Sequence, residues 1–172
     1  MFRVPTADLL RHPGERRRIA VDGAVAEVAT SGASVESDAH ADLIVEAASS
    51  DALVVHGTVT ATWSGECRRC LGPATGTVMA EVRELFERGS DGEETYPLAG
   101  DQIDVGPLVR DAVLLELPLA PLCREACAGL CPDCGANRNK VDCGHTPDTS
   151  DARWAALDQL GRAEGAQKTE SP

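Results

Sequence analysis

The sequence predicts an α+β protein: a mainly antiparallel β-sheet or partly open barrel with one core helix, then a cysteine-rich C-terminal segment and a short C-terminal helix. Three observations lead there. Ala52 to Trp63 and Ala74 to Phe86 both alternate apolar and polar residues with the period of a strand. Residues 107–117 carry apolar positions at helical spacing behind Gly106-Pro107, and proline is pre-organised for the first helical position. Five cysteines and a histidine fall within the 23 residues from Cys123 to His145.

Taken in order, residues 1–18 read as an N-terminal arm with one helical turn at Thr6-Ala-Asp-Leu-Leu10, stopped by Pro13-Gly14. Arg16-Arg-Arg18 reads as a solvated edge ahead of a strand in preference to an RNA contact. Ile19 to Thr30 follows as a strand with a turn at Asp22-Gly23, then Ser31 to His40 as a polar loop and Leu43 to Ala48 as a second strand. In Ala52 to Trp63, Val55, Gly57, Val59, Ala61 and Trp63 share one face, and His56, Thr58, Thr60 and Thr62 the other. Val78, Ala80 and Val82 continue the alternation beyond Cys67-Arg-Arg-Cys70-Leu-Gly, so the simplest geometry is an antiparallel hairpin with this cysteine pair at its tip. Gly89 to Gln102 reads as an acidic, solvated loop with Asp91, Glu93, Glu94 and Asp101, and Ile103-Asp-Val105 as a short strand. The core helix presents Leu108, Val109, Ala112, Val113, Leu115 and Leu117 as its apolar face and ends at Pro118. Asp151 to Gly161, behind a Ser150 N-cap, reads as a short helix with Trp154, Leu157 and Leu160 at helical spacing and Trp154 as a packing anchor. Arg162 onward is polar and expected to be disordered.

The apolar fraction of 42% leans on Ala and Val, with only two Trp, two Phe and one Tyr. A core so thin gains from metal staples. A net charge of −12 opposes bulk attraction to nucleic acid and favours basic protein partners or a local basic patch. Met1 to Ala20 lacks the apolar stretch of a signal peptide, and no apolar run approaches the roughly 18 residues that span a bilayer. A cytoplasmic protein is therefore expected, with no membrane partner, and there seven cysteines argue for metal over disulfides.

Cys131-Pro-Asp-Cys134-Gly is a metal knuckle by pattern: two intervening residues let both sulfurs face one ion, and the glycine permits the tight turn. Cys67-Arg-Arg-Cys70 is a second such pair. With Cys123, Cys127, Cys143 and His145 they make eight donors, enough for two tetrahedral zinc sites. Chain order suggests Cys67, Cys70, Cys123 and Cys127 for one ion and Cys131, Cys134, Cys143 and His145 for the other; a zinc ribbon joining the two knuckles around one ion is the alternative. Donors in fours, mostly thiolates, read as closed structural sites, so neither a hydrolase nor a small-molecule substrate is expected. A pair capping a hairpin also lacks the helix N-terminus that activates a redox cysteine. The domains expected are a β-rich part over 1–118, a zinc-binding segment with the C-terminal helix over 119–162 and a tail over 163–172. Arg68, Arg69, Arg138 and Lys140 are candidate contacts to RNA or a partner. With Arg124 they outnumber Glu125, Asp133 and Asp142 by two, but two dications bound by seven thiolates carry −3, leaving the cluster region near −1.

Certain runs carry a resemblance: Cys67-Arg-Arg-Cys70-Leu in a β-rich half, Leu117-Pro118 closing a helix, Gly129-Leu-Cys131-Pro-Asp-Cys134-Gly-Ala-Asn137-Arg-Asn139, and Asp151-Ala-Arg153-Trp-Ala-Ala-Leu157. Through them, over roughly residues 1–160, the chain resembles the YceD family of large ribosomal RNA subunit accumulation proteins. Where that family's pattern has Cys-x-Cys, this chain has Cys143-Gly-His145, a swap that keeps a zinc donor. The resemblance implies a non-enzymatic role in making or maintaining the large ribosomal subunit, through its ribosomal RNA or a precursor particle, and a small basic ribosomal protein as a further partner. An acidic adaptor or chaperone for such a protein, motivated by the −12 charge and the loop at 91–101, is the competing reading.

Overall fold

A computed structural model of the protein describes residues 2–25 and 28–145. Eight strands, β1 (Arg3–Pro5), β2 (Arg16–Gly23), β3 (Ala33–Val35), β4 (Ala39–Ala47), β5 (Ala52–Glu66), β6 (Pro73–Glu87), β7 (Tyr96–Ala99) and β8 (Gln102–Asp104), precede one helix, α1 (Gly106–Glu116). The chain divides into two compact units, Met1–Cys127 and Ala128–Pro172. All eight strands and α1 belong to the first, a curled, open half-barrel with the strand order β1-β8-β7-β6-β5-β4-β2 and β3 paired beyond the end of β4 on β5. Every pairing is antiparallel except β6 with β7, which is parallel, so the sheet is mixed.

The β5–β6 hairpin is the long axis of the fold, paired from Ala52↔Glu87 to Glu66↔Pro73. Its inward residues, among them Val55, Val59, Ala61, Val78 and Ala80, are buried under the sheet's concave side with Leu43 and Val45 of β4. Gly57 is the bend in β5. Its φ is +152°, and a Cβ there would lie 2.2 Å from the Asp42 carbonyl oxygen and 2.9 Å from the Leu43 Cα of β4. Backbone on backbone cannot yield as a side chain can. Gly57→Ala should therefore cost about 3 kcal/mol or more, read as a lower urea midpoint.

α1 starts where expected: Pro107 lies in the first turn, and the Asp104 carboxylate accepts from the Gly106 amide at 2.9 Å. Leu117 leaves the helix in an extended conformation ahead of Pro118. Leu108, Val109, Ala112 and Val113 are buried against the sheet. Leu115, expected on that face, is 84% exposed; at 100° per residue it falls on the rim of the arc these four define.

Four expectations are corrected. The N-terminal arm is part of the core: Val4, Leu9 and Leu10 are buried, and buried Thr6 bonds the Asp101 carbonyl through its amide (2.8 Å) and hydroxyl (3.1 Å). The strand expected over Ile19 to Thr30 ends at Gly23 and begins earlier, so Arg16–Arg18 lie within β2, with Arg17 and Arg18 paired to Asp8 and Asp42. The Ser31 to His40 loop contains β3, and the Gly89 to Gln102 loop contains β7. The proposed helix at 151–161 and the tail at 163–172 lie outside the described residues. No helix among those described is long and apolar enough to cross a membrane.

Candidate metal centres

The hairpin tip makes the first centre. Cys67 and Cys70 flank a turn closed by Leu71 N–H donating to the Cys67 carbonyl (2.9 Å) and Cys67 N–H donating to that of Gly72 (2.8 Å). Leu71 takes φ +55°, the one non-glycine with positive φ among the described residues. Beyond α1 the chain crosses to this tip, where Arg68 N–H donates to the Pro121 carbonyl at 2.9 Å. That contact delivers Cys123 and Cys127. Arg69 then clamps the incoming segment, its guanidinium donating to the carbonyls of Cys127 (3.1 Å) and Glu125 (3.3 Å). Trp63 and Leu122 pack over the buried sulfurs of Cys67, Cys70 and Cys127.

The resulting distances match a tetrahedron. Sulfurs about 2.3 Å from a tetrahedral ion stand about 3.8 Å apart. Cys67 Sγ to Cys127 Sγ is 3.8 Å, Cys70 Sγ to Cys123 Sγ is 3.7 Å, and all four sulfurs lie within 4.8 Å of one another. A disulfide needs about 2.05 Å, and none of the seven cysteines is disulfide-bonded.

Backbone amides face the sulfurs. The amide of Cys123, joined by those of Cys70 and Arg69 and opposed by desolvation, lowers the Cys67 thiol to about 6. Desolvation, then the crowding of Cys127, Cys70 and Cys67, pushes Cys123 up to about 12, although the residue itself is solvent-exposed. One thiolate forms readily and the next resists, which is the behaviour of a site that wants a cation to complete it.

The second unit builds the other centre from local chain. Gly135 N–H donates to the Cys131 carbonyl (2.9 Å) and Cys131 N–H to that of Ala136 (2.8 Å), with Gly135 at φ +71°. Asn137 and Asn139 hold this turn: Asn139 donates through its backbone (3.0 Å) and its side chain (2.9 Å) to Asn137 Oδ1, and accepts from the Ala128 amide at 2.9 Å. Gly144 turns back against the Asp142 carboxylate, which its amide reaches at 3.0 Å, and this brings His145 to the cysteines despite the single intervening residue. Cys131, Cys134, Cys143 and His145 present donor atoms within 4.8 Å of one another. The amides of Cys134 and Asp133 lower Cys131; Cys134 is lowered by the Ala136 amide but raised more by burial and by the thiols of Cys131 and Cys143.

The eight donors singled out in the sequence thus gather in two fours, in chain order, and the ribbon pairing of the two knuckles is not the one observed. Both sets could hold a metal ion of the zinc type: four thiolates in the first, three thiolates and an imidazole in the second. Sequence reasoning missed the clamp by Arg69, since its partners are backbone carbonyls, and the bracket formed by Asn137 and Asn139, for which an Asn-x-Asn run beside a turn glycine was a readable signal. Arg68, Arg138 and Lys140 are exposed; the guanidinium of Arg68 reaches Ser31 Oγ at 3.5 Å.

Both clusters fall inside the part of the chain, residues 55–161, that matches the family model described as large ribosomal RNA subunit accumulation protein YceD. An uncharacterized protein of Mycobacterium tuberculosis is 40% identical over 126 residues, 69% of this chain and 60% of that protein. One of Mycobacterium leprae is 36% identical over 137 residues, 76% of this chain and 62% of its own length. The chain therefore spans about three fifths of the length of these curated relatives. A large ribosomal RNA subunit accumulation protein YCED homolog 1, chloroplastic, of Arabidopsis thaliana is 35% identical over 65 residues, 38% of this chain and 20% of that protein. No solved structure matches.

Proposed function

Since the chain belongs to the YceD family of large ribosomal RNA subunit accumulation proteins, we propose that it is a zinc-stabilised, non-enzymatic factor for accumulation of large-subunit ribosomal RNA and for ribosome biogenesis. It acts in the cytoplasm on that RNA or on a precursor particle. The observation that carries the reading is the pair of four-donor clusters at tetrahedral spacing inside the family-matched region. A catalytic zinc keeps an open position on three protein ligands; here each ion would be fully ligated by Cys67, Cys70, Cys123 and Cys127, or by Cys131, Cys134, Cys143 and His145. The ions supply folding energy, and the protein supplies a fixed surface.

Arg68 on the first unit, and Arg138 and Lys140 on the second, are the RNA contacts. Arg69, exposed while its guanidinium holds the carbonyls of Glu125 and Cys127, is a further candidate contact. Single arginines suit an acidic protein that must engage RNA at chosen phosphates while its net charge of −12 suppresses indiscriminate binding. Charge reversal at Arg68, Arg138 and Lys140 together should abolish co-sedimentation with precursor large-subunit particles and leave bound zinc unchanged. Undiminished sedimentation of that variant overturns the assignment of these contacts, and zinc-free purified protein that stays folded overturns the staple.

A further inference from the structure

Away from both clusters, α1 and β6 leave a groove open. Two adjoining hollows share Glu84, Tyr96 and Asp111. One, of about 160 Å³, adds Glu93 and Glu94 from the loop before β7. The other, of about 130 Å³, adds Glu81 and Glu116 over an apolar floor of Val82, Leu108 and Ala112, with Leu115 on its rim. Six carboxylates converge there, and among the described residues no Lys, Arg or His lines either hollow.

We propose that this groove is a docking site for a basic, amphipathic segment of a partner protein, which lays an apolar side chain on the Leu108–Leu115 floor while flanking Lys or Arg side chains meet Glu84, Asp111 and Glu116. Three features favour that occupant. Charge complementarity selects cations, since every charged group lining the groove is negative. The floor and the 84%-exposed Leu115 demand an apolar component that a nucleic-acid backbone or a metal ion would not offer. The hollows are far below the roughly 300–1,000 Å³ of a small-molecule pocket and suit single side chains.

The wall between the hollows is rigid. Tyr96 stacks on Phe86 with centroids 5.1 Å apart and donates its hydroxyl to Asp111 Oδ2 at 3.0 Å. Desolvation, then the carboxylates of Asp111 and Glu84, raises its phenol well above the ordinary value, which registers the negative potential of the place. Nothing has to reorganise before a cation docks, so binding costs little beyond the ordering of the incoming segment. The groove shares no residue with either cysteine cluster and would receive such a segment whether or not the protein acts on ribosomal RNA.

The test uses the full, zinc-loaded chain and a fluorescein-labelled 18-residue peptide with Leu and Lys at helical spacing, titrated by anisotropy. Comparison probes are a peptide of the same composition with the pattern scrambled and a 15-nucleotide oligouridylate. Saturable binding of the patterned peptide is expected, weakened at least tenfold by Glu84→Gln with Glu116→Gln, by Asp111→Asn and by Leu115→Ser, and changed less than twofold by Asp38→Asn with Asp51→Asn. These are surface substitutions, and thermal melts confirm that each variant is folded. Equal affinity for the patterned and scrambled peptides, or insensitivity to the groove variants, overturns the proposal. So does oligouridylate binding that the same substitutions abolish. A dimer in sedimentation that Leu115→Ser dissociates would assign the groove to a second copy and overturn it as well.

Discussion

Cys67→Ser should purify with one zinc equivalent fewer than the unsubstituted protein, for which two are expected, and with a stability lower by on the order of 4 kcal/mol or more. The serine hydroxyl is a poor zinc donor, and the position is fully buried between Trp63, Leu122 and three other sulfurs, so no water replaces the lost bond. The second centre takes all its donors from residues 131–145 and should keep its ion. Cys131→Ser should give the converse, one equivalent retained at the first centre. Metal analysis of the two variants reads the partition directly, and a single substitution that empties both centres would mean they do not load independently. Acidification should release the ions, because each departing ion leaves thiolates that take up protons.

Phe86→Ala should cost about 3–5 kcal/mol and lower the melting temperature by about 10 °C. Phe86 is fully buried at the end of β6 that is paired on both sides: it faces Leu53 of β5 on one side and Tyr96 of β7, in parallel register, on the other. Its ring stacks on Tyr96, so truncation opens a cavity and also loosens the strand that carries the groove wall. Met79 lies on the same strand but is 67% exposed, and Met79→Ala should change stability by less than about 0.5 kcal/mol. Equal denaturation midpoints for the two variants would refute the assigned core.

What could be read from the sequence follows from where each signal is stored. The alternation of Val55, Val59 and Ala61 with His56, Thr58 and Thr60 is local, and it announced both β5, one of the two longest strands, and its buried face. Gly106-Pro107 and Leu117-Pro118 bounded α1 because proline acts on its own neighbours. The eight metal donors were legible as residue types. Their grouping in chain order was suggested but not separated from the ribbon alternative, because the Arg68 amide reaching Pro121 and the Arg69 guanidinium reaching the carbonyls of Glu125 and Cys127 join segments remote in sequence. β3 and β7 are three and four residues long, too short for any period to show. The N-terminal arm carried only Val4, Leu9 and Leu10 as hints, and Val4 is buried where it pairs with Ile103 of β8, about a hundred residues away. Leu115 belongs to an apolar run but not to the arc that the sheet covers, and helical spacing alone does not tell which flank of a wide stripe stays wet.

The sulfur pairs of the first cluster join residues 60 and 53 positions apart. During synthesis the hairpin tip emerges with two thiols and waits for the strands to curl, for α1 to dock and for the returning segment to arrive. Until then an ion finds half a coordination sphere there, whereas the donors of the second centre all lie between Cys131 and His145. Closing so long a loop is slow and entropically costly. A complete set of donors at the first centre therefore requires the hairpin tip and the returning segment to have met, whereas the second centre asks only for its own local turn.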